Sequence, residues 1–325
     1  GHCAASAPPT QDGDNGRARR PGIDEVFGMI LRTRFLLVWL LAVVMPAAWA
    51  PPPVPAVSDG AGVEGPLAHL PALKGDYFPL TDRGSGRVHH IFVRYPEGYD
   101  AAAPTRYPVV YVLDGDSLFP LLAPTHLFLH YDEQLPEAII VGIAYGGFDP
   151  AVNRRNTDFT APGPDATPEQ GGAPGFLAFL RDRLVPEVER RYAAEPARRI
   201  LLGQSRGGYF VLWSAREAPD LFWGRIASNP AQGPAREQLF APASAHARQD
   251  LRVAVVSGTR DTAARRQIAR EWASAWSAQP PAPWQVALIE IEGGTHAATI
   301  GEAYRRAMRW LFEPAAATPR GKPGP

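Results

Sequence analysis

The chain has 325 residues with 33 basic and 33 acidic side chains, which gives a formal net charge of zero. No long basic run is present, which argues against nucleic acid as a partner, because phosphate binding needs a concentrated field of Lys and Arg. The single cysteine, Cys3, excludes an intrachain disulfide, a cysteine-based metal cluster and a thiol nucleophile from the main body. With 45% hydrophobic residues, one large α/β domain is expected.

The segment before the domain resembles a targeting sequence. Residues 29–50 combine a short basic start, an apolar run over 35–45 and small residues at Ala48 and Ala50, which is typical of a secretory signal peptide. The apolar run is about eleven residues, too short for a spanning helix of about 20. We therefore expect an exported protein, periplasmic or secreted, with no stable membrane anchor after cleavage.

The remaining flanks lack apolar periodicity. We interpret residues 1–28 as a non-domain tail whose native origin the sequence leaves open, residues 51–65 as a Pro-rich linker and residues 314–325 as a disordered tail. The folded unit is therefore predicted to span residues 66–313.

Within this unit, apolar runs rich in β-branched residues alternate with segments of helical period. Seven runs predict strands, at 88–95, 108–113, 138–144, 199–202, 225–228, 251–257 and 284–290. Several are apolar throughout, as buried parallel strands are. The pattern predicts an α/β fold with a mainly parallel central sheet that helices cover on both faces.

Two segments between the strands are distinctive. Residues 175–192 carry an apolar stripe that predicts an amphipathic helix, which Pro186 is expected to kink or break. Residues 148–174 contain five prolines and show no clear period, which predicts a long loop. This loop should leave the sheet at the carboxyl end of a strand, where open α/β sheets bind ligands.

The candidate nucleophile is Ser205. Residues 199–202 predict a strand, GQSRG at 203–207 a tight turn, and the following segment a helix. Glycines two before and two after the serine let strand and helix approach closely, as a nucleophile elbow requires. The motif alone is weakly specific, but its context and its downstream partners favour this interpretation over a structural glycine turn.

A serine needs an imidazole to take its proton, and His296 is the best candidate base. It follows the last predicted strand through a small glycine-containing loop and precedes a helical run. Among its rivals, His89 and His90 lie in a strand pattern, His126 and His130 in an apolar segment and His246 in a polar connection.

Asp261 is the best candidate for the acid that orients the imidazole. It follows the predicted strand 251–257 through a tight turn, and the chain order Ser205, Asp261, His296 is that of α/β-hydrolases. Asp in such a turn is also an ordinary capping residue, and Glu290 or Glu292 is an alternative at the neighbouring strand end.

Acyl transfer also requires backbone donors for the oxyanion. One is the amide of the residue after the nucleophile, Arg206, and the second is expected from Asp116, just beyond the predicted strand 108–113. The acidic pair Asp114 and Asp116 has no adjacent His or further carboxylates, so a metal site is not expected.

Five segments together resemble an esterase family of α/β-hydrolases that includes esterase D-type enzymes and the enterobactin and salmochelin esterases. They are YVLDG at 111–115, RRNTDFT at 154–160, GQSRGG at 203–208, LFWGRIAS at 221–228 and GTH at 294–296. The resemblance implies an α/β-hydrolase fold, an oxyanion hole made by the Asp116 and Arg206 amides, and Arg154 and Arg155 on the rim as substrate-binding candidates. Some members work with a Ser-His pair alone, which leaves the role of Asp261 open.

These features predict a serine carboxylic-ester hydrolase that forms an acyl-enzyme, needs no cofactor and acts on a small-molecule ester. The export signal, the resemblance and the basic Arg154, Arg155 and Arg206 favour siderophore-type or other bulky esters, with a solvated rim as the alternative role of the arginines. An acyltransferase on the same scaffold and, less favoured, a non-catalytic binding protein are the alternatives. The acyl and alcohol parts of the substrate and the oligomeric state stay open.

Overall fold

A computed structural model describes residues 70–278 and 282–314 of the chain. The predicted signal peptide at 29–50, the tail before it, the linker at 51–65 and the segment beyond residue 314 lie outside these ranges. Among the helices within them, none combines the length and the apolar character that crossing a membrane requires.

The core of the fold is a single eight-stranded sheet in the described residues. Its strands in chain order are β1 Gly75–Thr81, β2 Val88–Arg94, β3 Tyr107–Val112, β4 Ile139–Ala144, β5 Ala194–Gln204, β6 Gly224–Ser228, β7 Leu251–Gly258 and β8 Trp284–Ile291. Their spatial order is β1-β2-β4-β3-β5-β6-β7-β8, and β1, β2 and β4 pair antiparallel while all other neighbours are parallel. The prediction of a mainly parallel sheet is confirmed.

All seven predicted strands are present, but the sequence did not predict β1. This strand contains Gly75 and Pro79, two residues that are depleted in strands. It lies at the edge of the sheet, where a proline is tolerated because its missing N–H costs no central ladder bond. Position in the sheet therefore overrides local propensity here.

Seven α-helices connect and cover the described strands. They are α1 Gly115–Glu133, α2 Arg155–Asp158, α3 Ala173–Phe179, α4 Val185–Arg191, α5 Arg206–Glu217, α6 Ala263–Ser277 and α7 Ile300–Phe312. Helix α1 was not predicted, since Pro120 and Pro124 lie inside it. Its burial of Leu122, Ala123 and Leu129 against the sheet offsets the backbone hydrogen bonds that the prolines remove.

The predicted helix over 175–192 is present and is distorted, not broken, just before Pro186. The residue occupies the first turn of α4, and the preceding segment Leu180–Leu184 is wound as a wider π-helix. A proline lacks the N–H for the helical ladder and its ring crowds the carbonyl four residues earlier, so the turn before it expands.

The sheet is covered on both faces, as predicted. Side chains of β3 alternate between two apolar clusters, with Val109 and Tyr111 in one and Val110 and Val112 in the other. Helices α3 to α6 supply the first cluster, with Phe210 and Trp272 among its fully buried residues, and α1 and α7 supply the second. The carboxyl edge of the parallel strands is thereby left free for a site.

Two histidines are fully buried in these clusters. His89 stacks on Phe179 with ring centroids 4.5 Å apart, and neither ring nitrogen has a hydrogen-bond partner among the described residues. His126 donates from Nε2 to the Pro136 carbonyl at 3.0 Å and accepts at Nδ1 from the Tyr304 hydroxyl at 2.8 Å. Burial lowers the pKa of each histidine to about 4.

These shifts predict a loss of stability in weak acid. Between a pH of about 4 and the ordinary histidine pKa of about 6.5, the unfolded chain binds more protons than the folded one, so the free energy of unfolding falls as pH falls. Urea unfolding at pH 7, 6 and 5 should show this decline, and His89→Leu should make it shallower. Parallel pH dependences of the parent and the variant would contradict the assignment.

Candidate active site

Three loops at the carboxyl edge of the sheet carry the predicted nucleophile, acid and base. Ser205 follows β5, Asp261 follows β7 and His296 follows β8. Because β5, β6, β7 and β8 are parallel neighbours, their carboxyl ends lie at one edge. The structure brings the three side chains together at that edge.

The turn between β5 and α5 has the strained geometry of a nucleophile elbow. Ser205 adopts φ 58° and ψ −113°, a conformation that costs free energy for a residue with a side chain. A Cβ on Gly203 would lie 2.4 Å from the Gly207 carbonyl carbon, so the crossing of strand and helix requires glycine. Hydrogen bonds from the Ser205 amide to the Ser228 carbonyl and from the Ala231 amide to the Ser205 carbonyl, both 2.9 Å, hold the turn.

A continuous hydrogen-bonded relay joins the three side chains. The Ser205 hydroxyl lies 3.0 Å from His296 Nε2, and His296 Nδ1 lies 2.7 Å from Asp261 Oδ2. The carboxylate accepts a hydrogen bond from Nδ1–H, which holds the proton on Nδ1 and leaves Nε2 free to accept the serine proton. Ser205 and His296 are partly exposed and Asp261 is buried, so the reacting end of the relay faces solvent.

The surroundings of Asp261 keep it ionised. Burial opposes the charge, but hydrogen bonds from His296, from the Thr262 amide at 2.7 Å and from Arg265 at 3.3 Å hold the pKa of the carboxyl below its ordinary value. Of the alternatives, Glu290 instead pairs with Arg270 at 2.6 Å, and Glu292 is exposed. Asp261 is therefore the carboxylate that the structure places on the imidazole.

Two side chains that the sequence analysis did not identify fix the backbone of His296. The amide groups of Gln204 and Asn229 both donate to the His296 carbonyl, the latter at 2.9 Å. Asn229 Oδ1 in turn accepts from the Gly258 amide at 2.7 Å, at the end of β7. The buried Asn229 therefore connects the loop of the base to the strand that precedes the acid. In the sequence, this role of Asn229 was indicated by its position directly after β6, at the carboxyl edge of the sheet.

The two predicted oxyanion donors lie at neighbouring helix ends. Arg206 begins α5 and Asp116 is the second residue of α1, so their amides belong to first helical turns and lack an intrahelical acceptor. A Cβ on Gly207 would lie 3.4 Å from the Asp114 carboxylate, which shows that the two helix starts adjoin. Both helix dipoles favour negative charge at these ends.

The Asp116 carboxylate anchors a neighbouring loop. It accepts hydrogen bonds from the amides of Tyr145 at 2.9 Å, Gly146 at 2.7 Å and Gly147 at 3.0 Å. The same residue thus offers its backbone N–H to the site and uses its side chain to fix the chain just after β4. The role of the amide was predictable from the sequence, and that of the carboxylate was not.

Arg155 is paired and is not a free cation. It donates from two nitrogens to the Asp114 carboxylate, at 2.7 and 3.0 Å. Asp114 itself has a positive φ of 53° at the start of α1. The bidentate pair links the predicted rim segment to this helix and offsets the charge that the sequence analysis assigned to substrate binding.

The other two arginines differ in their surroundings. Arg154 lines a separate hollow with Arg87, Tyr145 and Val152. The half-buried Arg206, next to the nucleophile, forms no ion pair in the part of the chain that the structure describes. Burial, together with the nearby Arg155, lowers the pKa of Arg206.

A hollow of about 220 Å³ adjoins the relay. Its lining combines the start of α1, the anchored loop and the residues beside Ser205 and His296, namely Asp114, Asp116, Ser117, Leu118, Phe148, Asn153, Arg155, Gln204 and Ala297. A cavity of about 560 Å³ lies at the opposite edge, near Arg106 and Asp250 at the starts of β3 and β7, far from these groups. Within residues 70–278 and 282–314, no cluster of three or more His, Cys, Asp or Glu is arranged to hold a metal.

Comparison with known proteins shows similarity to siderophore esterases. The ferri-bacillibactin esterase BesA of Bacillus subtilis is 35% identical over 168 residues, which cover 47% of this chain and 56% of that protein. The siderophore triacetylfusarinine C esterase of Aspergillus fumigatus is 34% identical over 170 residues, 50% of this chain and 57% of that protein. The chain thus spans little more than half the length of either relative.

Solved structures show the same fold. An IroE-like serine hydrolase from Shewanella oneidensis superposes with a TM-score of 0.63 at 21% identity, over 73% of this chain and 80% of that one. This identifies the sheet and its helices as an α/β-hydrolase fold.

The match to a protein family is broader. The family model described as "Putative esterase" matches residues 84–310, which include the elbow, the acid and the base. Since this range is more than half of the chain, the protein belongs to this esterase family.

Proposed function

We propose that this protein is a serine carboxylic-ester hydrolase that works through an acyl-enzyme. The observation that carries the proposal is the relay of Ser205, His296 and Asp261, with its 3.0 and 2.7 Å contacts at the carboxyl edge of the sheet. A serine hydroxyl is a weak nucleophile at its own pKa and needs such a base.

In the first half-reaction, Ser205 Oγ attacks the ester carbonyl carbon while His296 Nε2 takes the hydroxyl proton. The carbonyl oxygen becomes an oxyanion that the Asp116 and Arg206 amides stabilise. Cleavage of the carbon–oxygen bond then releases the alcohol, which receives the proton from His296. In the second half-reaction, water adds to the acyl-enzyme by the same route, the acid is released, and Ser205 regains its proton.

The proposed substrates are siderophore-type or other bulky esters. The curated relatives are named as esterases of ferri-bacillibactin and of triacetylfusarinine C. Among the described residues, no carboxylate pairs with the half-buried guanidinium of Arg206, which follows the nucleophile in the chain. This favours a substrate with acidic groups, because a partly dehydrated cation gains from a charged acceptor. Export through residues 29–50 is part of the proposal.

Removal of the nucleophile or the base should abolish activity. We expect Ser205→Ala and His296→Ala to lower the turnover of p-nitrophenyl acetate by at least about 10⁴-fold and to prevent labelling by a fluorophosphonate. Ser214→Ala is the matched control, because the Ser214 hydroxyl is buried in α5 and donates to the Val211 carbonyl. If the parent protein neither reacts with the fluorophosphonate nor hydrolyses p-nitrophenyl acetate, the result would instead favour the non-catalytic binding protein.

The contribution of the acid can be measured separately. Asp261→Asn should lower kcat by about 10²- to 10⁴-fold, since an amide no longer selects the productive imidazole tautomer. The lowered pKa of Asp261 keeps it charged above pH 5, so the loss should persist from pH 5 to 9. Glu290→Gln serves as the control. A loss below tenfold would indicate a working Ser-His pair.

The preference for acidic esters should depend on Arg206. We expect Arg206→Gln, which keeps the backbone amide, to lower kcat/KM for 4-acetoxybenzoate, whose carboxylate lies in the alcohol part of the ester, about tenfold more than for the neutral phenyl acetate. Arg106→Gln makes the same change of charge at the opposite edge of the sheet and should leave this ratio unchanged. Equal effects of the two substitutions would remove the argument for an anionic substrate.

A further inference from the structure

One large apolar side chain beside the relay has no packing role in the fold. Phe148 is 74% exposed, yet it lines the hollow that adjoins Ser205 and His296. Burying an aromatic ring in a partner is favourable because it removes apolar surface from water. An exposed ring at the wall of a catalytic hollow is therefore available to a substrate.

The backbone on both sides of Phe148 is fixed. The amides of Gly146 and Gly147 donate to Asp116, and the Gly147 carbonyl accepts from the Asn153 side chain at 3.0 Å. On the other side, Asp149 closes a turn by accepting from the Ala151 amide at 2.8 Å. The backbone that carries the ring is therefore held in place before the substrate arrives, which reduces the backbone entropy lost on binding.

The size of the hollow limits what it can accept. Pockets that enclose a whole drug-sized ligand measure about 300 to 1,000 Å³. At about 220 Å³, this hollow accommodates one arm of a bulky ester rather than the entire molecule. Its wall of Asp116, Ser117 and Leu118 continues directly from the proposed oxyanion amide, which places the arm next to the carbonyl group of a bound ester.

The charge of the lining selects against anionic arms. Of the described residues, the ionisable side chains that line the hollow are the two carboxylates of Asp114 and Asp116 and one guanidinium, that of Arg155. The Arg155 guanidinium is paired with the Asp114 carboxylate, and the Asp116 carboxylate accepts hydrogen bonds from three backbone amides. The excess of negative charge disfavours a carboxylate or phenolate at this position.

We propose that this hollow is an acyl-group subsite for a neutral, planar aromatic ring, with Phe148 as the residue that determines this specificity. The inference rests on the proposed esterase function and deepens it. The ring of the acyl group lies against Phe148 and Leu118, while acidic groups elsewhere on the substrate lie toward Arg206.

The test uses p-nitrophenyl esters, which share one leaving group and differ only in the acyl part. The series is acetate, cyclohexanecarboxylate, benzoate and 4-carboxybenzoate, and kcat/KM is compared between variants. Phe148→Ala should lower the benzoate-to-acetate ratio about 3- to 10-fold, the range of an aromatic contact. Phe148→Leu should lower kcat/KM for the benzoate more than kcat/KM for the cyclohexanecarboxylate. The parent should disfavour 4-carboxybenzoate relative to benzoate.

Phe128→Ala is the matched control, because Phe128 is 60% exposed on α1 and is absent from the lining of the hollow. It should leave all ratios unchanged. A parent that hydrolyses these esters while Phe148→Ala leaves the benzoate-to-acetate ratio intact, or a parent that prefers 4-carboxybenzoate, would overturn the subsite alone. A parent that hydrolyses none of the esters would overturn the esterase function and the subsite with it.

Discussion

The close crossing of β5 and α5 at Gly203 and Gly207 is the constraint on which the site depends. It forces Ser205 into φ 58°, raises its hydroxyl above the edge of the sheet and directs the start of α5 toward the place where negative charge develops. The parallel arrangement of β5 to β8 then determines where the partners can lie. Because the acid and base loops leave neighbouring strands at the same edge, the 3.0 and 2.7 Å contacts follow from the register of the sheet.

The parts of the site that local sequence determines were predictable. Ser205 lies in a motif whose two glycines have a direct steric reason, and the loops that carry Asp261 and His296 follow apolar strands of clear pattern. Asn229 and the carboxylate of Asp116 were missed because their roles consist of contacts between segments distant in the chain. Strand β1 and helix α1 were missed for a related reason, since burial and edge position outweigh their prolines.

The role of each arginine near the site depends on its neighbours in the structure. In the sequence, Arg154 and Arg155 form an adjacent basic pair, and both are candidates for substrate contact. In the structure, Arg155 is neutralised by Asp114 and Arg154 lines a different hollow, while Arg206, next to Ser205 in the chain, forms no ion pair with any described residue. An ion pair of this kind organises a site without attracting an anion.

The position of β8 has a consequence for the order in which the protein becomes active during synthesis. The strand lies at the edge of the sheet and late in the chain, and it precedes the loop of His296. A ribosome therefore delivers the nucleophile 91 residues before the base that activates it. Since domains fold as the chain emerges from the N-terminal side, the sheet can assemble through β7 around an inert serine. The set of three hydrogen-bonded side chains is complete only when the last strand and the loop of His296 join the edge of the sheet.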